Sequence, residues 1–252
     1  MRRNQRIHQI LSAIVAHGSL EVPELAERFG VSHATIRRDL EVLEQQRLVS
    51  RTRGGATTHA AFNDMPLSYK TTQDLVEKRR IAHAARRHLA GARVIGMTGG
   101  TTVTEFAHLL LESDGLTVVT NALNVALHLL DNPRLRVFTA GGEVRSSSQE
   151  TVGHSAEEFL AEYNVDVAFV GVDGVDASAG CTNYDPAGAR VNAALLQRAR
   201  KTIVLADATK IGRVALAQVC PMTSVDLLIT DERAAEAQIE QIRERDCEVT
   251  LV

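Results

Sequence analysis

The chain has 252 residues, of which 44% are hydrophobic, and a formal net charge of -3. This length suits one small domain plus one of ordinary size, and no apolar run approaches the ~18 residues that a membrane-spanning helix needs. The charge is uneven, because residues 1–60 contain nine arginines and no lysine against six acidic residues, whereas the rest contains 19 basic and 25 acidic residues. Only the N-terminal part is therefore expected to bind a polyanion.

The N-terminus is predicted to form an amphipathic helix, although its basic residues before an apolar run could be mistaken for a signal peptide. The three cysteines have no metal-ligand spacing, so we expect buried thiols in a soluble, cytoplasmic protein with no membrane partner. The apolar face of the helix would consist of Ile7, Ile10, Leu11, Ile14 and Val15. The cysteines are Cys181, Cys220 and Cys247.

The segment that follows has the pattern of a helix-turn-helix. A short helix is predicted over Pro23 to Phe29, closed by Gly30, because proline is allowed in a first turn and glycine can adopt a left-handed conformation. Ser32 is placed to cap a second helix that begins at about His33. That second helix has one apolar stripe, formed by Ile36, Leu40 and Leu43. Helix, glycine turn and capped helix together indicate a DNA-binding motif.

Arginines lie off the apolar stripe of this second helix. Arg37 and Arg38 could be an ordinary solvated face, since short motifs often match by chance. The next segment, Leu48 to Arg53, alternates like a short strand, ends at a Gly-Gly turn and carries Arg51 and Arg53 with no acidic residue nearby. This segment resembles the wing of a winged helix and favours the DNA-binding interpretation.

After Gly55 the sequence predicts a linker and then an α/β domain. A long helix is predicted from Thr72 to Leu89. Alternating strands and helices beyond it indicate a largely parallel sheet covered on both faces. The predicted strands are Arg93 to Met97, Leu116 to Thr120, Leu135 to Thr139, Val165 to Val170, Thr202 to Ala206, Val225 to Thr230 and Cys247 to Leu251. The predicted helices between them are Thr102 to Leu111, Leu123 to Leu130, Ser155 to Tyr163, Ala187 to Arg200 and Arg233 to Arg245.

Five of these strands end in glycine, asparagine, aspartate or lysine. Ligands of open parallel sheets bind at the carboxyl ends of the strands. The first loop, TGGTT at 98–102, precedes a helix N-terminus and could hold a phosphate, although a single glycine loop is more often just a tight turn. Lys210, one of only four lysines, follows another strand end, where it could meet a phosphate or simply be solvated.

The run VSHATIRRDLEVLEQQRLVSRTRGGA resembles the N-terminal domain of the DeoR family of bacterial transcriptional regulators. The segments GTT, TNALNVA, AGGEVR, DVAFVGVDG, ADATKIG and LLITD resemble the sensor domain of the same family, and two of them are most similar to its glycerol-3-phosphate-responsive branch. The resemblance implies a winged helix-turn-helix domain at 1–57, a linker at 58–73 and an α/β sensor domain at 74–252, with a fold similar to ribose-5-phosphate isomerase and the CoA transferases.

The resemblance also implies the partners: an operator in double-stranded DNA, a phosphorylated sugar or polyol effector, and further copies of the chain in a dimer or tetramer. No cofactor, metal or catalytic residue is expected. The DNA-binding candidates are Ser32, His33, Thr35, Arg37, Arg38, Arg51 and Arg53. Carried over by motif, the effector-binding candidates are Thr98, Gly99, Gly100, Thr101, Thr102, Thr120, Asn121, Gly141, Gly142, Asp173, Gly174 and Lys210.

Three positions depart from the family pattern. Arg53 stands where many relatives have histidine, Thr98 where many have aspartate, and Gly188 where glutamate is common. The last two leave the hydroxyl pattern of the ligand open, because a carboxylate could hold a hydroxyl.

Two other functions remain possible at this stage. The acids Asp173 and Asp176 resemble the paired acids of ribose-5-phosphate isomerase, which would make the protein an enzyme, but Asp176 is better explained as a turn former in DASAG. An architectural DNA-binding protein whose C-terminal domain only oligomerises would not need polar strand ends. We therefore expect a ligand-controlled regulator, acting as a repressor of a sugar or polyol catabolic operon.

Overall fold

The structure is a computed structural model, and it describes residues 3–45, 48–57 and 67–252. The chain divides into two compact units, Met1–Met65 and Pro66–Val252. No helix in the described ranges is long and apolar enough to cross a bilayer. Residues 58–66, which make up most of the predicted linker, lie outside the described ranges. The rest of the predicted linker contains a one-turn helix. The predicted domain limits therefore stay a prediction.

The first unit has three helices and a three-stranded antiparallel sheet. In chain order the elements are α1 (Arg3–His17), β1 (Ser19–Glu21), α2 (Val22–Phe29), α3 (His33–Gln45), β2 (Ser50–Arg51) and β3 (Gly55–Thr57). The sheet order is β1-β3-β2. The predicted helix-turn-helix is confirmed, and the wing is shorter than predicted because only two residues on its first side pair as strand. Strand β1 was not predicted, since three residues show no clear period.

Apolar side chains from all three helices form the core of this unit. The predicted stripe of α3 is confirmed, because Ile36, Leu40 and Leu43 are fully buried. Ile10 and Ile14 of α1 are fully buried as well. The side chain of Val15, the last residue of the predicted α1 face, lies outside the described part.

The second unit begins with two helices, α4 (Leu67–Lys70) and α5 (Leu75–Ala85), and a 3-10 turn over Arg86–Leu89. The predicted single helix from Thr72 to Leu89 is therefore wrong at both ends. Asp74 has a φ of 50°, in the left-handed region, so α5 starts only after it. The last turn tightens into 3-10 geometry, as helix ends commonly do.

Seven parallel strands form the main sheet, and all seven were predicted within two residues at each end. They are β4 (Val94–Met97), β5 (Thr117–Thr120), β6 (Arg136–Thr139), β9 (Val167–Val170), β12 (Thr202–Leu205), β14 (Leu227–Thr230) and β15 (Glu248–Leu251). Their order is β15-β14-β12-β9-β4-β5-β6. The helices between them are α6 (Thr101–Leu110), α7 (Leu123–Leu129), α8 (His154–Ala161), α9 (Pro186–Leu196) and α10 (Glu236–Arg243).

In the second unit the sequence pattern missed five short strands. A hairpin pairs β7 (Glu143–Arg145) with β8 (Glu150–Val152), and a small antiparallel sheet contains β10 (Gly174–Asp176), β11 (Gly180–Asn183) and β13 (Ala217–Cys220). Strands of three or four residues that include glycine and charged side chains are too short to show the apolar–polar alternation by which a strand is recognised. The three cysteines are buried and free, as predicted, and Cys181 pairs directly across the small sheet with Cys220.

The main sheet separates two apolar cores. Helices α5, α6 and α7 pack on one face, where Phe106 and Phe169 stack with ring centroids 4.4 Å apart. Helices α8 and α9 pack on the other face, and α9 comes so close that a Cβ on Gly96 would lie 2.7 Å from Leu195. Burial on both faces explains the continuous apolar strands, and it leaves the strand ends as the place for polar chemistry.

Candidate functional site

The first candidate surface is the outer side of α3. Gly30 ends α2 with a φ of 63°, and the Thr35 N–H donates to the Ser32 Oγ at 3.2 Å. The hydroxyls of Ser32 and Thr35 are 3.0 Å apart. Both predicted residues are thus part of the helix cap, which fixes where the helix begins. Their hydroxyls are partly committed to that cap rather than free for bases.

The basic residues of α3 are exposed. His33, Arg37 and Arg38 are all exposed and lie off the buried stripe of α3. Exposed basic side chains on a helix can donate hydrogen bonds to phosphate oxygens or to base edges. The structure thus brings these three predicted residues together on one surface.

An acidic residue in the middle of α3 has a structural role that the sequence did not indicate. Asp39 is 1% exposed, and its Oδ2 accepts a hydrogen bond from the Arg6 Nε at 2.7 Å. The Arg3 Nε lies 3.6 Å from the other carboxylate oxygen. Since Arg3 and Arg6 belong to α1, this buried ion pair holds α1 against α3.

The remaining DNA-binding candidates, Arg51 and Arg53, lie in the wing. Arg51 lies in β2 and forms an ion pair with Glu41 of α3, with 3.3 Å between Nη1 and Oε1. Arg53 is exposed at the turn. A Cβ on Gly55 would collide with the Leu20 carbonyl oxygen of β1, so glycine is required for the wing to pair there.

The second candidate surface lies at the carboxyl ends of the main-sheet strands. Thr98, directly after β4, is fully buried, and its Oγ1 accepts from the Gly171 N–H at 2.9 Å. A Cβ on Gly171 would lie 2.5 Å from the Gly99 carbonyl oxygen. The loops after β4 and β9 therefore pack backbone against backbone, and Thr98 joins them instead of pointing outward.

Helix α6 begins at this loop. Gly100 precedes the helix with a φ of 108°, and its carbonyl oxygen accepts from the Thr104 hydroxyl at 2.9 Å. Thr101 and Thr102 form the first turn, whose backbone amides have no partners within the helix. Such a turn is chemically able to bind an anion, and its role as a phosphate loop stays a prediction.

One amide of the predicted phosphate loop is already occupied. The Gly99 N–H donates to the Glu150 Oε1 at 3.0 Å, and the Asn121 Nδ2 donates to the same oxygen at 3.3 Å. Burial raises the pKa of Glu150, although the Gly99 hydrogen bond opposes this shift. Thr120, fully buried, accepts from the Ala122 N–H at 3.0 Å.

A group of lysine side chains lies at the ends of β9 and β12, the next two strands beyond β4 in the sheet. The Lys70 Nζ of α4 donates a hydrogen bond, 3.0 Å long, to the Oδ1 of Asp173, which follows β9. Burial and the like charge of Lys70 lower the pKa of Lys210, after β12, to about 8. Burial alone would raise the pKa of Asp173, but the charges of Lys70 and Lys210 outweigh it and lower that pKa.

A third lysine, Lys78, holds the backbone of the segment that carries Lys70. The buried Lys78 Nζ donates to the Lys70 carbonyl oxygen at 2.8 Å and to the Gln73 carbonyl oxygen. Burial lowers its pKa, and attraction to Asp207 partly opposes that effect. Three of the four lysines in the chain therefore converge on one edge of the sheet, although only Lys210 was predicted to be functional.

The other predicted positions are spread along the same edge. Gly141 and Gly142 follow the edge strand β6, and a Cβ on Gly142 would lie 3.0 Å from the Val152 carbonyl oxygen of β8. A Cβ on Gly174 would collide with the Arg213 carbonyl oxygen. Gly142 and Gly174 are thus explained by close backbone packing, whereas a Cβ on Gly141 would meet nothing within 4 Å. No group of three or more potential metal ligands is found among the described residues.

The carboxylate of Asp176 accepts hydrogen bonds within a turn, in agreement with the interpretation of the sequence. Its Oδ1 accepts from the Ser178 N–H at 2.8 Å and from the Ala179 N–H at 2.9 Å. The hydrogen bond from the Ser178 hydroxyl, with those from the two amides, lowers the pKa of Asp176. Gly188 lies in the first turn of α9, where its N–H donates to the Asp185 Oδ2 at 2.6 Å.

Comparison with known families agrees with this arrangement. The model of the DeoR-like helix-turn-helix domain matches residues 6–61, and that of the DeoR C terminal sensor domain matches residues 73–232. The chain belongs to the DeoR family. The resemblance inferred from the sequence is thereby confirmed.

Relatives in this family match over nearly the whole chain. The glycerol-3-phosphate regulon repressor of Escherichia coli (strain K12) is 31% identical over 92% of this chain and 92% of its own. The putative aga operon transcriptional repressor of Escherichia coli O157:H7 is 32% identical over 99% of this chain and 94% of its own.

Solved structures match less closely. Ribose 5-phosphate isomerase A from Methanocaldococcus jannaschii has a TM-score of 0.40 at 19% identity, covering 53% of this chain and 52% of its own. The sorbitol operon regulator SorC from Klebsiella pneumoniae has a TM-score of 0.37 at 12% identity, covering 98% and 94%. Likenesses at these scores carry no argument about function.

Proposed function

We propose that this DeoR-family protein is a transcriptional repressor of a sugar or polyol catabolic operon and that a phosphorylated sugar or polyol controls it. The observation that supports DNA binding is the exposed basic face of α3, beside the arginines of the wing. Operator and effector are the partners, and the protein acts in the cytoplasm. The names of the relatives support the same class of function.

The proposed effector site lies between the first turn of α6 and the lysine pair Lys70 and Lys210. Both elements favour an anion: the helix offers unpaired amides and the lysines offer charge. We propose that the site binds its ligand without reaction, since Asp176 is committed to a turn and Asp173 is paired with Lys70.

The proposed active form is a dimer or tetramer. Two recognition helices would then enter successive major grooves about 34 to 36 Å apart, and the operator would have matching half-sites. Effector binding would change the spacing of the helices, with a coupling free energy of about 1 to 3 kcal/mol.

Thermal unfolding of the purified protein tests the effector class. Phosphorylated sugars and polyols are compared with their unphosphorylated forms, because a ligand at 100 times its Kd adds about 2.7 kcal/mol to the free energy of unfolding. We expect stabilisation by one phosphorylated compound and none by its unphosphorylated form. Equal stabilisation by both, or by no compound, would overturn the proposal.

Replacing Arg38 by alanine is expected to weaken operator binding. If its guanidinium holds a phosphate, the slope of log K against log salt becomes shallower by about one. An operator selected from random duplexes with the wild-type protein is titrated by fluorescence anisotropy between low and moderate salt. Arg87→Ala, an exposed arginine of the second unit, is the control and should leave the slope unchanged. An unchanged slope for Arg38→Ala would remove this residue from the phosphate contacts.

A further inference from the structure

The carboxylate of Glu150 reaches into the strand-end site from outside the main sheet. Glu150 is the first residue of β8, in the hairpin beside the sheet edge, and no sequence motif singled it out. Its Oε1 accepts hydrogen bonds from the Gly99 N–H and from the Asn121 side chain. These two donors follow β4 and β5, which are neighbours in the sheet. Glu150 therefore lies at the edge where the effector is proposed to bind.

The loop after β4 is shaped around this side chain. A Cβ on Gly99 would lie 2.6 Å from the Glu150 Cδ and 2.7 Å from its Oε1. The φ of Gly99 is outside the left-handed region, so its backbone conformation does not require glycine. A side chain at 99 would instead force the end of the Glu150 side chain to move from this position. Thr98, the residue before Gly99, is buried between loops, and Glu150 supplies a carboxylate that contacts this loop.

One of the two acceptors at this corner, Asn121, is fully buried. Asn121 is 0% exposed, and its Oδ1 has no hydrogen-bond partner in the described part of the chain. An unpaired buried acceptor costs free energy that a donor on a ligand would recover. A phosphate would add negative charge beside the Glu150 carboxylate, whereas a hydroxyl or amino group would donate to it. The corner therefore suits donor groups and disfavours the anion.

The opposite charge lies across the site. Lys70 and Lys210 gather at the ends of β9 and β12, on the other side of β4 from Asn121. We propose that Glu150 and Asn121 accept hydrogen bonds from hydroxyl or amino groups of the effector and thereby select it, while its phosphate faces the lysines and the first turn of α6. This inference rests on the proposed function and specifies the ligand's second recognition point.

Replacing Glu150 by glutamine tests the inference. The glutamine Oε1 can still accept from Gly99 and Asn121, so the fold should be kept, but the charge is lost. Binding is measured by calorimetry with three pairs of probes: glycerol 3-phosphate with propyl phosphate, and glucitol 6-phosphate and glucosamine 6-phosphate each with hexyl phosphate. Glu143→Gln, an exposed acid of the same hairpin, is the control.

In the wild-type protein the best donor-bearing phosphate should bind more tightly than its alkyl partner. Glu150→Gln should lower the affinity for the donor-bearing probe by about tenfold, because charge-assisted hydrogen bonds are roughly twice as strong as neutral ones, and should leave the alkyl phosphate unchanged. A hydroxyl ligand and an amino ligand are distinguished by which probe binds best.

An equal change for both members of a pair, or none for either, would overturn the role of Glu150 and leave the proposed function intact. Absence of binding by every phosphorylated compound to the wild-type protein would overturn both. A structural role alone would alter the melting temperature of Glu150→Gln without altering the ratio of the two affinities.

Discussion

Lys210→Ala is expected to abolish the response to effector while leaving DNA affinity unchanged. Lys210 lies beside Lys70 and Asp173 at the strand ends, and its charge is held there at a cost that an anionic ligand would relieve. Losing a charge-assisted hydrogen bond of about 1.5–3 kcal/mol weakens ligand binding by about 10- to 100-fold. Operator titrations with and without the stabilising phosphorylated compound measure both quantities.

Lys201→Ala is the matched control. Lys201 directly precedes β12, at the opposite end of the strand from Lys210, and it is the only lysine outside the cluster. This variant should respond to the effector like the wild type. A normal response from Lys210→Ala would remove the lysine from the site, and loss of response from both variants would indicate a general effect of charge.

The same lysine sets an expected pH dependence. Without ligand the pKa of Lys210 is about 8, and an anion bound nearby favours the ammonium and raises that pKa. Between the two values the complex holds more protons than its free components, so affinity falls as pH rises through about 8, by roughly tenfold per unit above it. Calorimetry in buffers of different ionisation enthalpy should detect proton uptake near pH 8, and Lys210→Ala should show none.

Asp39→Ala is expected to unfold the first unit at ordinary temperature. Asp39 is 1% exposed, and Arg6, whose side chain is 12% exposed, would keep a nearly buried charge without its partner. Breaking one side of a buried ion pair costs about 3–5 kcal/mol, which is large for a domain of this size. Hydrogen exchange should increase across residues 3–57 and stay low in the second unit, and operator binding should be lost.

Two further variants show whether the buried charge is the cause. Glu41→Ala removes an exposed acid of the same helix and should cost no more than about 1 kcal/mol. The double change Arg6→Met with Asp39→Leu removes both charges and should recover most of the stability. If the double variant is as unstable as Asp39→Ala, the ion pair is not what holds α1 to α3.

The main elements of the fold were predictable because their sequences repeat a single physical pattern. Strands such as Val167–Val170 are apolar throughout, since the sheet is covered on both faces. The helix-turn-helix was predictable from three local signals, Gly30, Ser32 and the α3 stripe. The start of α5 was not, because the left-handed conformation of Asp74 leaves no mark on helical periodicity.

The site was predictable only where it lies in loops that follow predicted strands. Asp173 and Lys210 of the candidate site were predicted this way. Lys70 and Glu150 come from α4 and from the hairpin, so their approach to the strand ends depends on tertiary packing. The rarity of lysine was a usable signal for Lys70, whereas nothing in the sequence marked Glu150.

Positions 99 and 150 constrain each other's evolution. While Glu150 keeps its present position, the Cβ of even an alanine at 99 would lie 2.6 Å from the Glu150 Cδ, so the glutamate side chain would have to move. A shorter residue at 150 would free that space. Glycine at 99 is therefore expected to accompany glutamate at 150, because the glutamate then keeps its position without any rearrangement. Close relatives should accordingly show paired substitutions at these two positions, with glycine at 99 wherever a long side chain stands at 150.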